Sequence, residues 1–157
     1  MMTEADFLPV LNRHKDTVYR VAFSYMKNRQ DAEDIFQEVF LKYLQKSPEL
    51  DNDGSERAWL IRVTINTCIS HLRNPWRRRR ADLEDYQAFS DDTGLSDLME
   101  AIRKLPGKLS TPLLLRYYEG YSVKECADLL GVSESAVTSR LFRARKQLKL
   151  ELEEAYK

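Results

Sequence analysis

The sequence has few of the residues that build metal centres, redox sites and membrane spans. Its 157 residues include two cysteines and two histidines, too few for a metal-ligand cluster. No long apolar run is present, so no transmembrane helix is expected, and the start lacks the pattern of a secretory signal. We interpret Cys68 and Cys126 as buried small hydrophobes, with a free redox thiol as the alternative. The composition predicts a cytoplasmic protein without metal or other cofactor.

The formal net charge is zero, but the charges are unevenly distributed. Residues 1–80 carry 14 basic and 11 acidic residues, residues 81–101 carry 7 acidic and no basic ones, and residues 102–157 carry 11 basic and 7 acidic ones. This order predicts two domains that meet nucleic acid, joined by an acidic linker. We expect an all-α chain with domains at 1–80 and 96–157 and the linker at 81–95.

The segment 122–149 has the pattern of two helices joined by a short turn. Ser122 can cap the first helix, with Glu125 closing a capping box, and Gly131 suits a left-handed helix end. Ser133 can cap the second helix. In that helix one apolar stripe follows the helical period, formed by Val137, Leu141, Ala144 and Leu148. A capped helix, a glycine turn and a second helix predict a helix-turn-helix.

The second of these helices has basic residues and no acid between Ser135 and Leu150. Such a helix can enter a major groove with its early residues at base edges, while later basic residues hold phosphates. The alternative is a helical hairpin with a solvated charged face. Phe142 lies off the apolar stripe, so it either meets a thymine methyl group or packs on a neighbouring helix.

The strongest amphipathic pattern is the segment 31–46. Apolar residues recur at helical spacing over more than three turns, at Ala32, Ile35, Phe36, Val39, Phe40, Tyr43 and Leu44. The other face carries Asp31, Asp34, Gln37, Glu38 and Leu41. Asp31 is the expected N-cap, and acidic residues in the first turn suit the helix dipole. That account leaves Leu41 unexplained, so this face is either solvated or a docking face for a basic partner helix.

A further helix is expected from Ser55, its predicted cap, to about residue 73. We assign Ala58, Ile61, Ile65, Cys68, Ile69 and Leu72 to its core face, and Trp59, Leu60, Val63 and Asn66 away from it. The stretch from Arg57 to Ala81 holds seven arginines and no acid, with Trp76 before four of them. Arginines beside aromatic rings suit single-stranded nucleic acid; a merely solvated basic run is the alternative.

Between the linker and the helix-turn-helix, the sequence predicts one more pair of helices. Periodicity resumes at Leu95, and Pro106-Gly107 turns the chain. Thr111 is the expected cap of the next helix, with Pro112 at its first position. Its core residues would be Leu113, Leu114, Tyr117 and Tyr118, and Gly120 would end it.

Three stretches together resemble the extracytoplasmic-function (ECF) sigma factors of bacterial RNA polymerase. They read DAEDIFQEVFLK at 31–42, RAWLIRVTIN at 57–66 with the arginine-rich end at 73–80, and LPGK at 105–108 followed by LLLRYYEGYSVKECADLLGVSESAVTSRLFRAR at 113–145. A helix-turn-helix alone is shared by many regulators, whereas this combination is specific and spans almost the whole chain. The larger sigma factors' middle domain has no room in this sequence.

The resemblance implies partners and a role for each stretch. The 31–44 helix would dock on a coiled coil of the largest subunit of core RNA polymerase through Asp34, Gln37, Glu38 and Leu41. The 51–55 loop would form part of a pocket for a flipped base of the promoter −10 element. The residues implied in recognising and opening that element are Asn52, Asp53, Trp59, Asn66, Arg73, Trp76, Arg77 and Arg78. The C-terminal domain would sit on the polymerase flap and read the −35 element with Ser135, Thr138, Ser139, Phe142, Arg143 and Lys146. The acidic linker would run through polymerase channels, and an anti-sigma factor is an implied further partner.

Two other classes of function are less well supported by the residues. A stand-alone helix-turn-helix regulator needs a dimer interface or an effector domain, and the sequence shows neither a heptad seam nor a receiver domain. A nucleic-acid enzyme needs paired carboxylates with a metal, or an activated nucleophile. Asp31, Asp34 and Glu38 share a face, but no histidine or further acid completes a site. We therefore expect no enzymatic activity from this chain alone.

Overall fold

The computed structural model describes residues 3–46, 48–74 and 95–155, apart from the side chains of 95–97, 99 and 155. The chain divides into two compact units, Met1–Glu84 and Asp85–Lys157. Seven α-helices and no strand occur in the described ranges, so the all-α prediction is confirmed. Trp76, Arg77, Arg78 and most of the predicted linker lie outside the described residues.

The N-terminal unit is a bundle of three helices, each packed on the other two. They are α1 (Glu4–Met26), α2 (Arg29–Lys46) and α3 (Asp53–Leu72). Aliphatic and aromatic side chains from all three fill the core. Its buried apolar residues are Val10, Val18, Val21, Ala22, Tyr25, Met26, Ala32, Ile35, Val39, Phe40, Tyr43, Leu60, Ile61, Ile65 and Cys68.

Side-chain caps set where the helices of this unit begin, and two of them differ from the prediction. Asn28, not Asp31, stands before α2, and its Oδ1 accepts from the Asp31 N–H at 2.8 Å. Asn52, not Ser55, caps α3, because its Oδ1 accepts from the Ser55 N–H at 2.8 Å. In both cases an asparagine three residues upstream satisfies the N–H of the predicted cap.

The predicted core face of α3 is too narrow. Leu60, assigned away from the core, is completely buried, as are Thr64 and Ile61. The reason is that α3 is covered by α1 on one side and by α2 on the other, so its buried arc is wider than one stripe. The Thr64 hydroxyl remains satisfied there by donating to the Leu60 carbonyl at 2.6 Å.

The C-terminal unit is organised around its last helix. The elements are α4 (Leu95–Lys104), α5 (Gly107–Leu113) continued by a π-helical segment (Leu114–Tyr118), α6 (Val123–Leu130) and α7 (Glu134–Ala155). α4, α5 and α6 all pack on α7. The buried apolar residues of this unit are Ala101, Leu105, Leu113, Leu115, Cys126, Ala127, Leu129, Leu130, Val137, Leu141 and Ala144.

The prediction for the segment before the helix-turn-helix is wrong in two respects. Thr111 does not cap a helix: α5 begins at Gly107, and Thr111 and Pro112 are buried inside it. Packing on α7 outweighs the local cost of an interior proline. Tyr117 and Tyr118 are 60% and 66% exposed, because the wider π turn places Leu115 in the core instead.

The helix-turn-helix has the local structure that its sequence predicts. Ser122 and Glu125 form a reciprocal capping box at the start of α6. Gly131 ends that helix in the left-handed region with φ 69°, and the Ser133 hydroxyl accepts from the Ala136 N–H at 3.1 Å at the start of α7. These contacts are made within four residues of chain, so the motif is specified locally.

Both cysteines are buried, as predicted. Burial raises the pKa of the Cys68 thiol well above its usual range and that of Cys126 to about 11. Such thiols stay protonated near neutral pH and are poor nucleophiles. The interpretation as small hydrophobes is therefore favoured over a redox role.

No helix in the described ranges combines the length and apolar character needed to cross a bilayer.

Candidate functional site

The predicted site residues fall on three surfaces. The α2 polar face consists of Asp34, Gln37, Glu38 and Leu41. The α3 surface consists of Asn52, Asp53, Trp59, Asn66 and Arg73. The recognition face of α7 consists of Ser135, Thr138, Ser139, Phe142, Arg143 and Lys146. The first two surfaces belong to the N-terminal unit and the third to the C-terminal unit.

On the α2 polar face, an apolar side chain stands among polar ones. Leu41 is 55% exposed, and Gln37 is exposed beside it. Asp34 and Glu38 are half-buried. Spacings of three and four residues put all four side chains on one side of the helix. An exposed leucine framed by carboxylates suits contact with a partner that is both apolar and basic.

Glu38 is also held from within the unit. One of its carboxylate oxygens accepts from the His71 ring at 2.7 Å, and the other lies 3.6 Å from the Lys42 ammonium. Lys42 in turn donates to the Thr67 hydroxyl at 3.0 Å. The α2 polar face is therefore tied to the last two turns of α3, and the Glu38 carboxylate has a fixed direction before any partner binds.

The α3 surface runs along the helix in one line. Trp59, Asn66 and Arg73 follow at intervals of seven residues, about two turns, and so share one face. Asn66 and Arg73 are exposed, whereas Trp59 is half-buried with its ring edge against Tyr43, centroids 5.6 Å apart. Sequence reasoning missed Arg62, which is exposed on the same line. Its spacing of three from Trp59 and four from Asn66 was the available signal.

The start of α3 is anchored by a half-buried carboxylate that the sequence analysis did not identify. Glu56 accepts from Arg13 Nη2 at 2.9 Å, lies 2.8 Å from His14 Nε2, and accepts from the Tyr43 hydroxyl at 3.2 Å. We call these four residues the Glu56 cluster. Its members come from α1, α2 and α3, so the cluster joins all three helices where the loop before α3 ends.

Protonation of Glu56 should weaken the N-terminal unit. Burial tends to raise the pKa of this carboxyl, but hydrogen bonds from Arg13 and His14 outweigh burial and lower it. A lowered pKa in the folded state means that the unfolded chain binds more protons. The contribution of Glu56 is therefore complete above the unfolded pKa, about 4.5, and is lost as the pH falls through the lowered value.

We therefore expect Glu56→Gln to flatten the pH dependence of the free energy of unfolding below about pH 5. Hydrogen exchange of the α1–α3 amides in the full chain measures this. Asp16→Asn, which removes an exposed carboxylate from α1, is the control and should leave the profile unchanged. An identical pH profile for the wild type and Glu56→Gln would contradict the prediction.

The recognition face of α7 is exposed along its whole length. All six residues point to solvent, including Phe142 at 62%. Because Phe142 is exposed, the interpretation that it packs on a neighbouring helix is wrong. Four of the six, Ser135, Thr138, Ser139 and Phe142, line a shallow groove with Val123 and Glu134.

The charged residues of this face are all basic. No acid lies between Ser135 and Leu150, and Arg143 and Lys146 are exposed one turn apart. Arg145, in the same stretch, donates to the hydroxyl of the exposed Tyr117. Hydroxyls and a ring near the start of the helix, followed by cations, match the side chains that proteins place against base edges and phosphates.

Each of the two units matches a known protein family. The Sigma-70 region 2 family matches residues 10–78, and the Sigma-70 region 4 family matches residues 95–148. RNA polymerase sigma factor SigV of Bacillus subtilis is 33% identical over 154 residues, covering 96% of this chain and 93% of that protein. The ECF sigma factor SigE of Mycolicibacterium smegmatis is also 33% identical, over 152 residues that cover 89% of this chain and 59% of the relative.

Two solved structures have the same fold. One is the sigma factor RpoE of Bartonella quintana in complex with the anti-sigma factor NepR, with a TM-score of 0.74, 23% identity and coverage of 94% of this chain and 97% of that one. The other is CnrH in complex with the cytosolic domain of CnrY, with a TM-score of 0.65, 25% identity and coverage of 97% and 90%.

Proposed function

Because the chain belongs to the ECF family of RNA polymerase sigma factors, we propose that its two units divide promoter recognition between them. The N-terminal unit docks on core polymerase and opens the −10 element. The C-terminal unit reads the −35 element from the polymerase flap. The observation that carries this division is that the region 2 and region 4 families match separate units.

Docking on core polymerase is assigned to the α2 polar face, which receives a coiled coil of the largest subunit. The exposed Leu41 supports this assignment, because docking of a partner there would remove its apolar surface from water. Asp34 and Glu38 add a negative potential that suits a basic partner. The internal contacts of Glu38 with His71 and Lys42 hold its carboxylate in place and reduce the entropy lost on binding.

Opening of the −10 element is assigned to the α3 surface and the arginine-rich segment after it. Trp59, Asn66 and Arg73 share one face of α3, with Arg62 added to them. Extruding a base from the stack costs a few kcal/mol, and the loop carrying Asn52 and Asp53 would offset that cost by holding the flipped base. Trp76, Arg77 and Arg78, which lie outside the described residues, are proposed to contact the displaced strand.

Reading of the −35 element is assigned to the recognition face of α7. Phe142 supports this, since an exposed ring there can meet a thymine methyl group. Arg143 lies one residue further and can donate two hydrogen bonds to a guanine. Lys146 follows one turn later and would hold a phosphate.

Replacing Arg143 by alanine should weaken initiation about tenfold at promoters with the preferred −35 sequence and relax the choice of one base pair. Because Arg143 is exposed, folding should be unaffected. Initiation by purified holoenzyme on a library of −35 variants measures the effect. Lys149→Ala is the matched control: it removes an exposed cation further along α7 and should weaken all sequences equally. Unchanged base preference in Arg143→Ala would contradict the assignment.

An anti-sigma factor is the third proposed partner. The sigma factor RpoE of Bartonella quintana, which shares this fold, was solved in complex with the anti-sigma factor NepR. The chain would act in the cytoplasm, where core polymerase is. A candidate anti-sigma protein should suppress promoter-directed initiation by this chain in proportion to its concentration, and a chain variant that escapes it should initiate normally.

The decisive experiment is transcription by purified core polymerase, with and without this chain, on a library of templates. Initiation at specific sequences only when the chain is present supports the proposal and yields both promoter elements. Tight binding of duplex DNA by the chain alone, without initiation, would instead indicate a stand-alone helix-turn-helix regulator.

A further inference from the structure

We propose that the Glu56 cluster positions the base-capturing loop, so that Arg13 and His14 of α1 act as positioning residues for −10 recognition. The inference rests on the proposed function of that loop and adds residues outside it. Asn52 and Asp53, the predicted pocket residues, stand directly before and at the start of α3. Glu56 lies one turn later and is fixed to α1 and α2 by three partners.

The cluster reaches the pocket through Arg13. The guanidinium of Arg13 donates to Glu56 at 2.9 Å on one side, and its Nε lies 3.4 Å from Asp53 Oδ1 on the other. Side-chain exposure rises along this path, from 12% at Glu56 to 42% at Arg13 and 74% at Asp53. The Glu56 carboxylate, the least exposed of the three, is thus the fixed point, and Arg13 connects it to an exposed residue of the pocket.

Asn52 is held in place by the backbone of the same turn. Its Oδ1 accepts from the Ser55 N–H at 2.8 Å. Gly54 leaves the space for this bond, because a Cβ at that position would approach Asn52 Oδ1 to 3.2 Å. The amide N–H donors of Asn52 have no role in this cap and can face a base.

Positioning matters here because capture of a flipped base must offset the free energy of unstacking. A loop that had to become ordered on capture would lose conformational entropy at that step. Anchoring by Glu56 restricts the loop before DNA arrives. Loss of the cluster should therefore lower retention of the captured base more than it lowers polymerase binding.

The test is a thermodynamic cycle between the cluster and single bases. Full-length chain and core polymerase are bound to templates with a pre-opened −10 region, in which each non-template base is replaced in turn by an abasic site. For the wild type we expect one position where the abasic site shortens complex lifetime at least about tenfold. In Arg13→Met the same replacement should shorten it only about threefold or less, with the other positions unchanged.

Two variants make the result specific. Lys15→Met removes a neighbouring exposed cation of α1 and should behave as the wild type. Glu56→Gln keeps the shape of the anchor and should reduce the abasic effect in the same way as Arg13→Met, at a temperature where circular dichroism shows both variants folded.

Each alternative outcome is distinct. If Arg13→Met and Glu56→Gln shorten the complex lifetime by the same factor on every template, the cluster only supports the fold. The inference is then overturned. If both retain the full abasic effect, the inference is overturned as well. If the wild type itself shows no sensitive position, the proposed base pocket fails, and the inference falls with it.

Discussion

Replacing Leu41 by arginine should lower the affinity for core RNA polymerase at least about 100-fold. Leu41 is 55% exposed on the α2 polar face, so its substitution leaves the core of the N-terminal unit intact. At the proposed interface its side chain would be desolvated, so the substitution would replace a buried apolar contact with a charge. The arginine would also bring a cation to the surface that faces a basic partner.

A titration of labelled full-length chain with purified core polymerase measures this change. Leu8→Arg is the matched control, because Leu8 is an exposed leucine, at 44%, on α1. It should retain wild-type affinity. Equal losses in the two variants would show that exposed leucines act through general association, and that the α2 polar face is not the docking surface.

Replacing Leu60 by alanine should lower the free energy of unfolding of the N-terminal unit by about 3 kcal/mol. Leu60 is fully buried on α3, which packs on both α1 and α2, so truncation leaves a cavity in the core. The sequence pattern placed Leu60 on the outer side of its helix, and from that position alone one would expect almost no effect. The two expectations differ by far more than the error of a denaturation experiment.

Hydrogen exchange of the slowest α1–α3 amides in the full chain gives this free energy directly. Leu41→Ala is the control, since it removes the same atoms from an exposed site and should cost less than about 0.5 kcal/mol. A cost below about 1 kcal/mol for Leu60→Ala would contradict the packing of α3 described above.

In the helix-turn-helix, features specified by neighbouring residues were predicted well, whereas the equally local caps of α2 and α3 were each placed three residues too late. The capping box of Ser122 and Glu125, the left-handed Gly131 and the Ser133 cap all involve residues within four positions of one another. The stripe of Val137, Leu141 and Ala144 was also predicted, because α7 packs its neighbours along that stripe. Local chemistry and a single helical period were enough for the helix-turn-helix.

Features that depend on several elements at once could not be predicted. The width of the buried arc on α3 depends on two covering helices, and the burial of Thr111 and Pro112 depends on α7. The Glu56 cluster pairs residues 42 positions apart, and the contact between His71 and Glu38 pairs residues 33 apart. A single sequence gives no signal for such pairs. The position of Phe142 off the apolar stripe could be read from the same helical period, whereas the choice of its neighbours as site residues came from the family resemblance.

The caps of the N-terminal unit also bear on how the chain folds during synthesis. Its helices start at local caps, and only two residues connect α1 to α2. Helical domains rich in local contacts fold within about microseconds to milliseconds, whereas a ribosome adds about 5–20 residues per second. Once α3 has left the ribosome, this unit folds before α7 is synthesised. The α2 polar face is therefore formed seconds before α7 has been synthesised.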